Sequence, residues 1–284
     1  IGANSNTILG NYIGTDVTGE SDRRNTQFGI VITGASQDTT IGGTASGAGN
    51  VISGNGTAGI ALSGTGVTNT LIQGNRIGTN PGGSGVVPNV THGVQITDGS
   101  FGNTIGGAAV GAGNVISGNL SGIFLKGGGS NQMLGNRIGT DVTGSADLGN
   151  RGNGIQIDSS STGNTVGGLI AAAGNVISGN NAVGVALSGS GTQNNVVLGN
   201  WIGTSADGSV DLGNTYFGVL ISGAASNVVG GTAAGAGNVI SGNDNMGVVI
   251  TGASAAGNRL ERNHIGTDAG GAADLGNTLH GVQI

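Results

Sequence analysis

The sequence predicts an all-β solenoid that winds through about nine coils of roughly 31 residues, with three short strands in each coil. The string Gly-Asn-Val-Ile-Ser-Gly-Asn recurs at steps of 64, 61 and 63 residues, beginning at Gly49, Gly113, Gly174 and Gly237. The string Gly-Asn-x-Ile-Gly-Thr recurs in step with it, beginning at Gly10, Gly74, Gly135 and Gly199. Glycine accounts for 65 of the 284 residues and proline for 2, without the Gly-X-Y period of collagen.

The first strand of each coil is predicted to have one buried face. A glycine followed by an aliphatic–x–aliphatic triplet occurs nine times between Gly29 and Gly281, so eight steps span 252 residues. The outer positions of the triplet are always Ile, Leu or Val, whereas the middle one varies, which is the period-2 pattern of a half-buried strand. The predicted inward residues are Ile30, Ile32, Ile60, Leu62, Val94, Ile96, Ile123, Leu125, Ile155, Ile157, Val185, Leu187, Val219, Ile221, Val248, Ile250, Val282 and Ile284.

Two further short strands follow the first in each coil. Examples are Thr39–Gly43, Thr70–Gly74 and Thr104–Gly107 for one, and Asn50–Ser53, Asn75–Gly78 and Asn114–Ser117 for the other. Glycine, asparagine and serine fill the gaps, where they supply positive-φ corners and side-chain hydrogen bonds. Each strand is therefore predicted to lie parallel to its equivalent in the next coil, about 4.8 Å away.

One asparagine recurs at the same corner of every coil. A stack of such side chains is predicted to form a ladder of amide hydrogen bonds that satisfies the turn backbone. The members of this predicted ladder are Asn11, Asn50, Asn75, Asn114, Asn136, Asn175, Asn200, Asn238 and Asn263.

The repeated strings resemble a known architecture. Together with Asn103–Gly107 and Gly135–Asp141, they resemble the Asn/Gly-rich β-helix repeats of large secreted or surface-anchored bacterial proteins, and the whole chain looks like a right-handed parallel β-helix of the pectate-lyase-like architecture. The resemblance implies an extracellular or cell-surface location and a single β-helix repeat domain over residues 1–284, an excerpt of a longer protein. Parallel strand edges pair readily, so we expect end-to-end or side-by-side self-association.

Composition argues against several kinds of partner. The net charge is −6, and only 8 Lys and Arg residues are scattered along the chain, so no basic stripe for nucleic acid is expected. Gly, Asn, Ser and Thr interrupt every apolar stretch, so no membrane insertion is expected. There is no cysteine, which excludes disulfides and thiolate metal sites.

No cluster of catalytic side chains is evident, and we expect none, although the sequence does not exclude an enzyme. His92-Gly93 and His280-Gly281 are similar to part of the Gly-His-Gly element of polygalacturonase-like hydrolases. The accompanying Asp-Asp pair and Arg-x-Lys element are missing, and both histidines stand at the same corner before a strand, which favours a structural role.

Aspartates recur in the longest loop of alternate coils. The pairs are Asp16/Asp22, Asp141/Asp147, Asp207/Asp211 and Asp268/Asp274. Such carboxylates cap turns and are the ligands that Ca²⁺ prefers. Equivalent loops would lie about 9.6 Å apart at two strand spacings, too far to share one ion, so turn capping is the favoured role and no metal site is assigned.

The variable position of Gly-Asn-x-Ile-Gly-Thr holds the candidate ligand-binding residues. They are Tyr12, Arg76, Arg137, Trp201 and His264, and intervening coils place Val51, Val115, Val176 and Val239 there. Regularly spaced aromatic and arginine side chains can stack on a polysaccharide or cell-surface glycan and hydrogen-bond to it. Alternatively, the position tolerates large residues because it faces solvent or lies beneath the long loop.

Two functional hypotheses remain. The first is a non-enzymatic structural or adhesive module of a secreted or cell-surface bacterial protein that contacts glycans. The second is a carbohydrate-active enzyme, a polysaccharide lyase or hydrolase, or the polysaccharide-binding part of one. Ice binding is disfavoured because Thr15, Thr79, Thr140, Thr204 and Thr267 recur only on alternate coils.

Overall fold

The computed structural model describes residues 2–284 and confirms the parallel β-helix. Within these residues, 27 strands form three parallel sheets of nine strands each, and every coil contributes one strand to each sheet. The helical structure in this part of the chain is one 3₁₀ turn at Ala171–Ala173. No helix in the described range has the length and apolar character needed to cross a membrane.

The strands are short, and their bounds follow the repeats. Sheet A contains Thr7–Ile8, Thr40–Gly42, Leu71–Gln73, Thr104–Gly106, Gln132–Leu134, Thr165–Gly167, Val196–Leu198, Val228–Gly230 and Arg259–Glu261. Sheet B contains Tyr12–Ile13, Val51–Ile52, Arg76–Ile77, Val115–Ile116, Arg137–Ile138, Val176–Ile177, Trp201–Ile202, Val239–Ile240 and His264–Ile265. Sheet C, formed by the strand with the aliphatic triplet, contains Ile30–Thr33, Ile60–Ser63, His92–Thr97, Ser121–Lys126, Ile155–Asp158, Val185–Ser188, Phe217–Ser222, Met246–Thr251 and Val282–Gln283.

The three sheets enclose one aliphatic core. Ile123 pairs with Ile155 in register, and Leu125 pairs with Ile157; all four are fully buried. Burial of such a side chain stabilises the fold by about 1.5–3 kcal/mol. The predicted burial holds through the second to eighth coils but is wrong for the ninth, where Ile284 is 93% exposed, because the last strand of sheet C has a neighbour on one side only.

The predicted asparagine ladder is present at the corner between sheets A and B. The Nδ2 of Asn50 donates to Oδ1 of Asn75 at 2.9 Å, and the backbone N–H of Asn50 donates to the same oxygen at 3.0 Å. The second Nδ2 hydrogen of Asn50 goes to the carbonyl of Ile8 at 2.8 Å. This pattern repeats along the stack from Asn11 to Asn263 and satisfies backbone groups at this corner of the coils.

Two further ladders occupy the other corners and were missed in the sequence. One lies between sheets B and C and consists of Asn25, Asn55, Asn89, Asn119, Asn150, Asn180, Asn214, Asn243 and Asn277. The other lies between sheets C and A and consists of Asn103, Asn131, Asn164, Asn195, Asn227 and Asn258. From Asn103 onward, stacked asparagine amides therefore hold all three corners of the coil.

The long loops after sheet B fold back as hairpins and stack on one another. Each is closed by an antiparallel bridge, such as Thr140 with Asp147. The backbone N–H of Val142 donates to the carbonyl of Gly83 in the preceding long loop at 2.9 Å, and Ala206 donates to Gly144 at 3.0 Å. The long loops are therefore in direct contact through their backbones, although the strands that precede them are two spacings apart, about 9.6 Å.

Candidate ligand-binding groove

The five candidate residues lie in one file on sheet B. Cα pairing runs from Tyr12 through Val51, Arg76, Val115, Arg137, Val176, Trp201 and Val239 to His264. The large residues are therefore two strand spacings apart, about 9.6 Å. The four intervening valines are between 2% and 8% exposed, so they form a floor between the larger side chains.

Glycines of the long loops cover part of each large side chain. A Cβ added at Gly83 would lie 2.9 Å from Nε of Arg76, and one added at Gly144 would lie 3.4 Å from Nε of Arg137. Both glycines have positive φ, 63° and 74°, so a larger residue would be strained as well as crowded. The file thus lies beneath the long loops, which press the arginine stems against the sheet.

Arg76 and Arg137 line a groove of about 770 Å³. One wall is formed by the small-residue loops at 43–49 and 107–113, and the other by the long loops through Pro81 and Val142. Tyr12 lies towards one end and is 48% exposed. The groove follows the solenoid axis and could hold an elongated ligand.

Trp201 and His264 belong to the file but do not line the groove. A Cβ added at Gly174 in one wall would lie 2.8 Å from the Trp201 ring, and one at Gly208 in the other wall would lie 3.1 Å from it. The indole therefore fills the space that is open further along the file. His264 is exposed beside Gly271 of the last long loop.

The groove carries positive charge without a counter-ion. The guanidinium groups of Arg76 and Arg137 form no hydrogen bond or ion pair within residues 2–284, and the Nε atoms of both are buried without a partner. Burial, and secondarily the charge of Arg137, lowers the pKa of Arg76; a guanidinium nevertheless remains charged at neutral pH. No lining side chain is acidic.

The first aspartate of each loop pair caps its own turn. Asp141 Oδ1 accepts hydrogen bonds from the backbone of Ser145 and Ala146 at 3.0 and 3.1 Å. Asp207 accepts from the hydroxyls of Ser205 and Ser209, which lower its pKa to about 2. Within residues 2–284, no three His, Asp or Glu side chains come together as a group that could hold a metal ion.

A second depression, which the sequence reasoning missed, lies on the outer face of sheet C. It has a volume of about 510 Å³, and its lining includes Gln95, Asp98, Phe124 and Lys126. Lys126 pairs in register with Asp158 of the next coil. Lys126 and Asp158 each follow the aliphatic triplet in their strand. The triplet pattern predicts only its middle residue as outward-facing, so it does not identify these two charged side chains.

His92 at the edge of this face is held as an uncharged ring. Its imidazole stacks on Phe124 with a centroid distance of 4.5 Å and an interplanar angle of 13°. Burial lowers the pKa of His92 to about 4, and Nδ1 is buried without a partner. The corresponding His280 is exposed, so the two histidines share a corner but not an environment.

Comparison with known proteins yields similarity of shape only. The sequence matches no protein-family model, and no curated protein matches it. A mutant of the periplasmic alginate epimerase AlgG superposes with a TM-score of 0.49 at 17% identity, over 89% of this chain and 62% of the epimerase. The epimerase without that substitution superposes over 88% and 61% with the same score and identity. An alginate lyase from Paenibacillus sp. str. FPU-7 gives 0.37 at 14% identity, over 100% and 99%. The chain thus spans less than two thirds of the epimerase.

Proposed function

We propose that this chain is a non-enzymatic structural or adhesive module of a secreted or cell-surface bacterial protein, and that it contacts a glycan along the groove on sheet B. The observation that supports this proposal is the open, elongated groove lined by Tyr12, Arg76 and Arg137. Aromatic and guanidinium groups can stack on sugar rings and hydrogen-bond to them. Trp201 and His264 continue the same file beyond the groove.

The scaffold suits a rigid binding surface. Continuous sheets and three asparagine ladders connect each coil with the next, so the lining residues are held at constant spacing. A pre-organised surface loses little conformational entropy on binding. The lining includes no carboxylate, imidazole or lysine, the groups that most often act as general acids and bases, and this favours binding over catalysis at the groove.

A glycan array tests the proposal, with and without Ca²⁺. We expect the chain to bind extended glycans, and Tyr12→Ala to weaken binding about two- to tenfold through loss of ring stacking. Tyr216→Ala is the matched control, because Tyr216 is similarly exposed at 52% and does not line the groove. Absence of binding to every glycan, or equal weakening by both variants, would contradict the proposal.

The depression on sheet C supports the alternative of a carbohydrate-active enzyme. Lys126 and Asp98 line it, and hydroxyl groups of Ser63 and Thr97 hold the Asp98 carboxylate at 2.6 and 2.9 Å. Such hydrogen bonds lower the pKa of Asp98. Depolymerisation of a polysaccharide from a broad panel, abolished by Lys126→Ala but not by Arg151→Ala, would establish this alternative at the expense of the first.

A further inference from the structure

We infer that the ligand of the groove is an anionic glycan, whose carboxylate or sulfate groups are bound by Arg76 and Arg137. This inference rests on the proposed glycan-binding function and specifies its ligand. It follows from the contrast between these two arginines and the other arginines of the chain.

Every other arginine has a partner within the described residues. Arg24 pairs with Asp22, and Arg259 pairs with Glu261. The remaining three donate to backbone carbonyls, at 2.9 Å for Arg23 and Arg151 and 2.6 Å for Arg262. Within the described residues, the side chains of Arg76 and Arg137 donate to no group, although the long loops contact them.

Holding two unpaired guanidinium groups in a partly buried groove is unfavourable in the absence of a ligand. Burial removes water from the charged groups, and the charge of Arg137 adds repulsion at Arg76. The chain has 14 acidic residues and a net charge of −6, yet none of its acidic side chains lines the groove. An incoming carboxylate or sulfate would supply the missing acceptors in the bidentate geometry that arginine favours.

The shape of the groove favours a glycan over an acidic peptide. The lining consists largely of glycine, with smaller numbers of alanine and valine, so it offers backbone groups and small side chains rather than a deep apolar pocket for a large peptide side chain. Arg76 and Arg137 are separated by two strand spacings, about 9.6 Å. This distance exceeds the length of one sugar and suits acidic groups on alternate sugars of an extended chain, with the Tyr12 ring available for stacking.

Binding of defined polymers to the full chain tests the inference. The probes are polygalacturonate as a carboxylated glycan, dextran sulfate as a sulfated one, hydroxyethylcellulose as a neutral one, and poly-glutamate as an acidic peptide. The variant is Arg76→Gln/Arg137→Gln. The matched control is Arg23→Gln/Arg151→Gln, which changes the net charge by the same amount at exposed sites outside the groove.

We expect at least one of the two acidic glycans to bind more tightly than the neutral polymer and poly-glutamate, and to weaken as salt is raised. Loss of both guanidinium groups should weaken binding at least about tenfold, whereas the control should change it less than about twofold. Circular dichroism and thermal unfolding establish that both variants remain folded.

The other outcomes separate this inference from the function on which it rests. Tyr12-dependent binding of the neutral polymer alone overturns the anionic ligand but leaves glycan binding intact. Preferential binding of poly-glutamate assigns the groove to an acidic protein partner and overturns both the anionic ligand and the glycan-binding function. Absence of binding to every polymer also overturns both. If the two double variants lose the same amount of affinity for the acidic glycans, the net charge of the chain explains the binding, and the assignment to Arg76 and Arg137 is overturned.

Discussion

Replacing a central asparagine of the first ladder is expected to destabilise the solenoid strongly. In Asn136→Ala, the N–H and Nδ2 of Asn114 lose the oxygen to which they donate at 3.1 and 2.9 Å. The carbonyl of Ile105 loses the amide donor at 2.9 Å but keeps its place in the parallel ladder with Gln132–Leu134, and Oδ1 of Asn175 keeps the backbone N–H of residue 136. Two buried donors are left unpaired, at about 1–3 kcal/mol each.

The expected loss is therefore about 2–6 kcal/mol, towards the lower end if a water molecule enters the space of the amide. Asn11→Ala is the matched control, since Asn11 belongs to the same ladder but is exposed. Its loss should be below about 1 kcal/mol, because water replaces the amide there. Urea unfolding followed by circular dichroism measures both, and hydrogen exchange locates the opening, because solenoids need not unfold in a single cooperative step.

An isosteric change separates hydrogen bonding from packing. Asn136→Asp keeps the accepting oxygen but removes both Nδ2 donors and places a charge in a site that is 1% exposed. We expect it to be at least as destabilising as alanine at neutral pH and milder in acid, where the carboxyl group becomes neutral. Equal and small losses in Asn136→Ala and Asn11→Ala would refute the claim that the ladder stabilises the fold.

Three further outcomes follow from local geometry. Gly83→Ala should lower the free energy of unfolding by about 1–2 kcal/mol and displace the Arg76 side chain, because Gly83 has a φ of 63°. Gly82→Ala is the control and should have neither effect. Equal thermal unfolding and equal glycan binding in the two variants would contradict this. The pKa of His92 is about 4 in the folded chain and about 6.5 in the unfolded chain. Between these two pH values only the unfolded state binds a proton at this imidazole, so the free energy of unfolding decreases as the pH is lowered. Wild type should lose about 1 kcal/mol more than His92→Phe between pH 7 and pH 5, and parallel losses in urea unfolding would disprove the assignment. Trp201→Ala should lower the unfolding free energy by about 2 kcal/mol, less than for a fully buried tryptophan, and an unchanged value would show that the ring does not pack between the walls.

The repeat made much of this fold predictable. Because equivalent residues stack on one another, a pattern in one coil is repeated in all of them, and the triplet that contains Ile123 and Leu125 identified the buried face of sheet C. The regular recurrence of Asn136 and its equivalents similarly predicted one amide ladder. The other two ladders were not predicted. Asn119 ends the repeated string itself, but its partner Asn150 follows a long loop, and Asn164 also follows a loop of variable length, so the shared corners are not evident from the strings alone.

The candidate site was predicted less completely. Tyr12, Arg76 and Arg137 were identified with Trp201 and His264 as one file, since they share a position in the repeated string. Which of them line a cavity depends on the fold of the long loops and on whether a side chain fills the space, as Trp201 does. Neither can be read from the spacing of the strings.

The sequence by itself determined the solenoid, its number of coils and the residues that share a face, because a stacked repeat converts a fixed period directly into a fixed contact. The tertiary structure alone decided that the long loops lie on one another, that they cover the arginine stems, and that Arg76 and Arg137 face a groove without partners. The physical reason is that loop packing depends on contacts between alternate coils, which no local pattern of residues specifies.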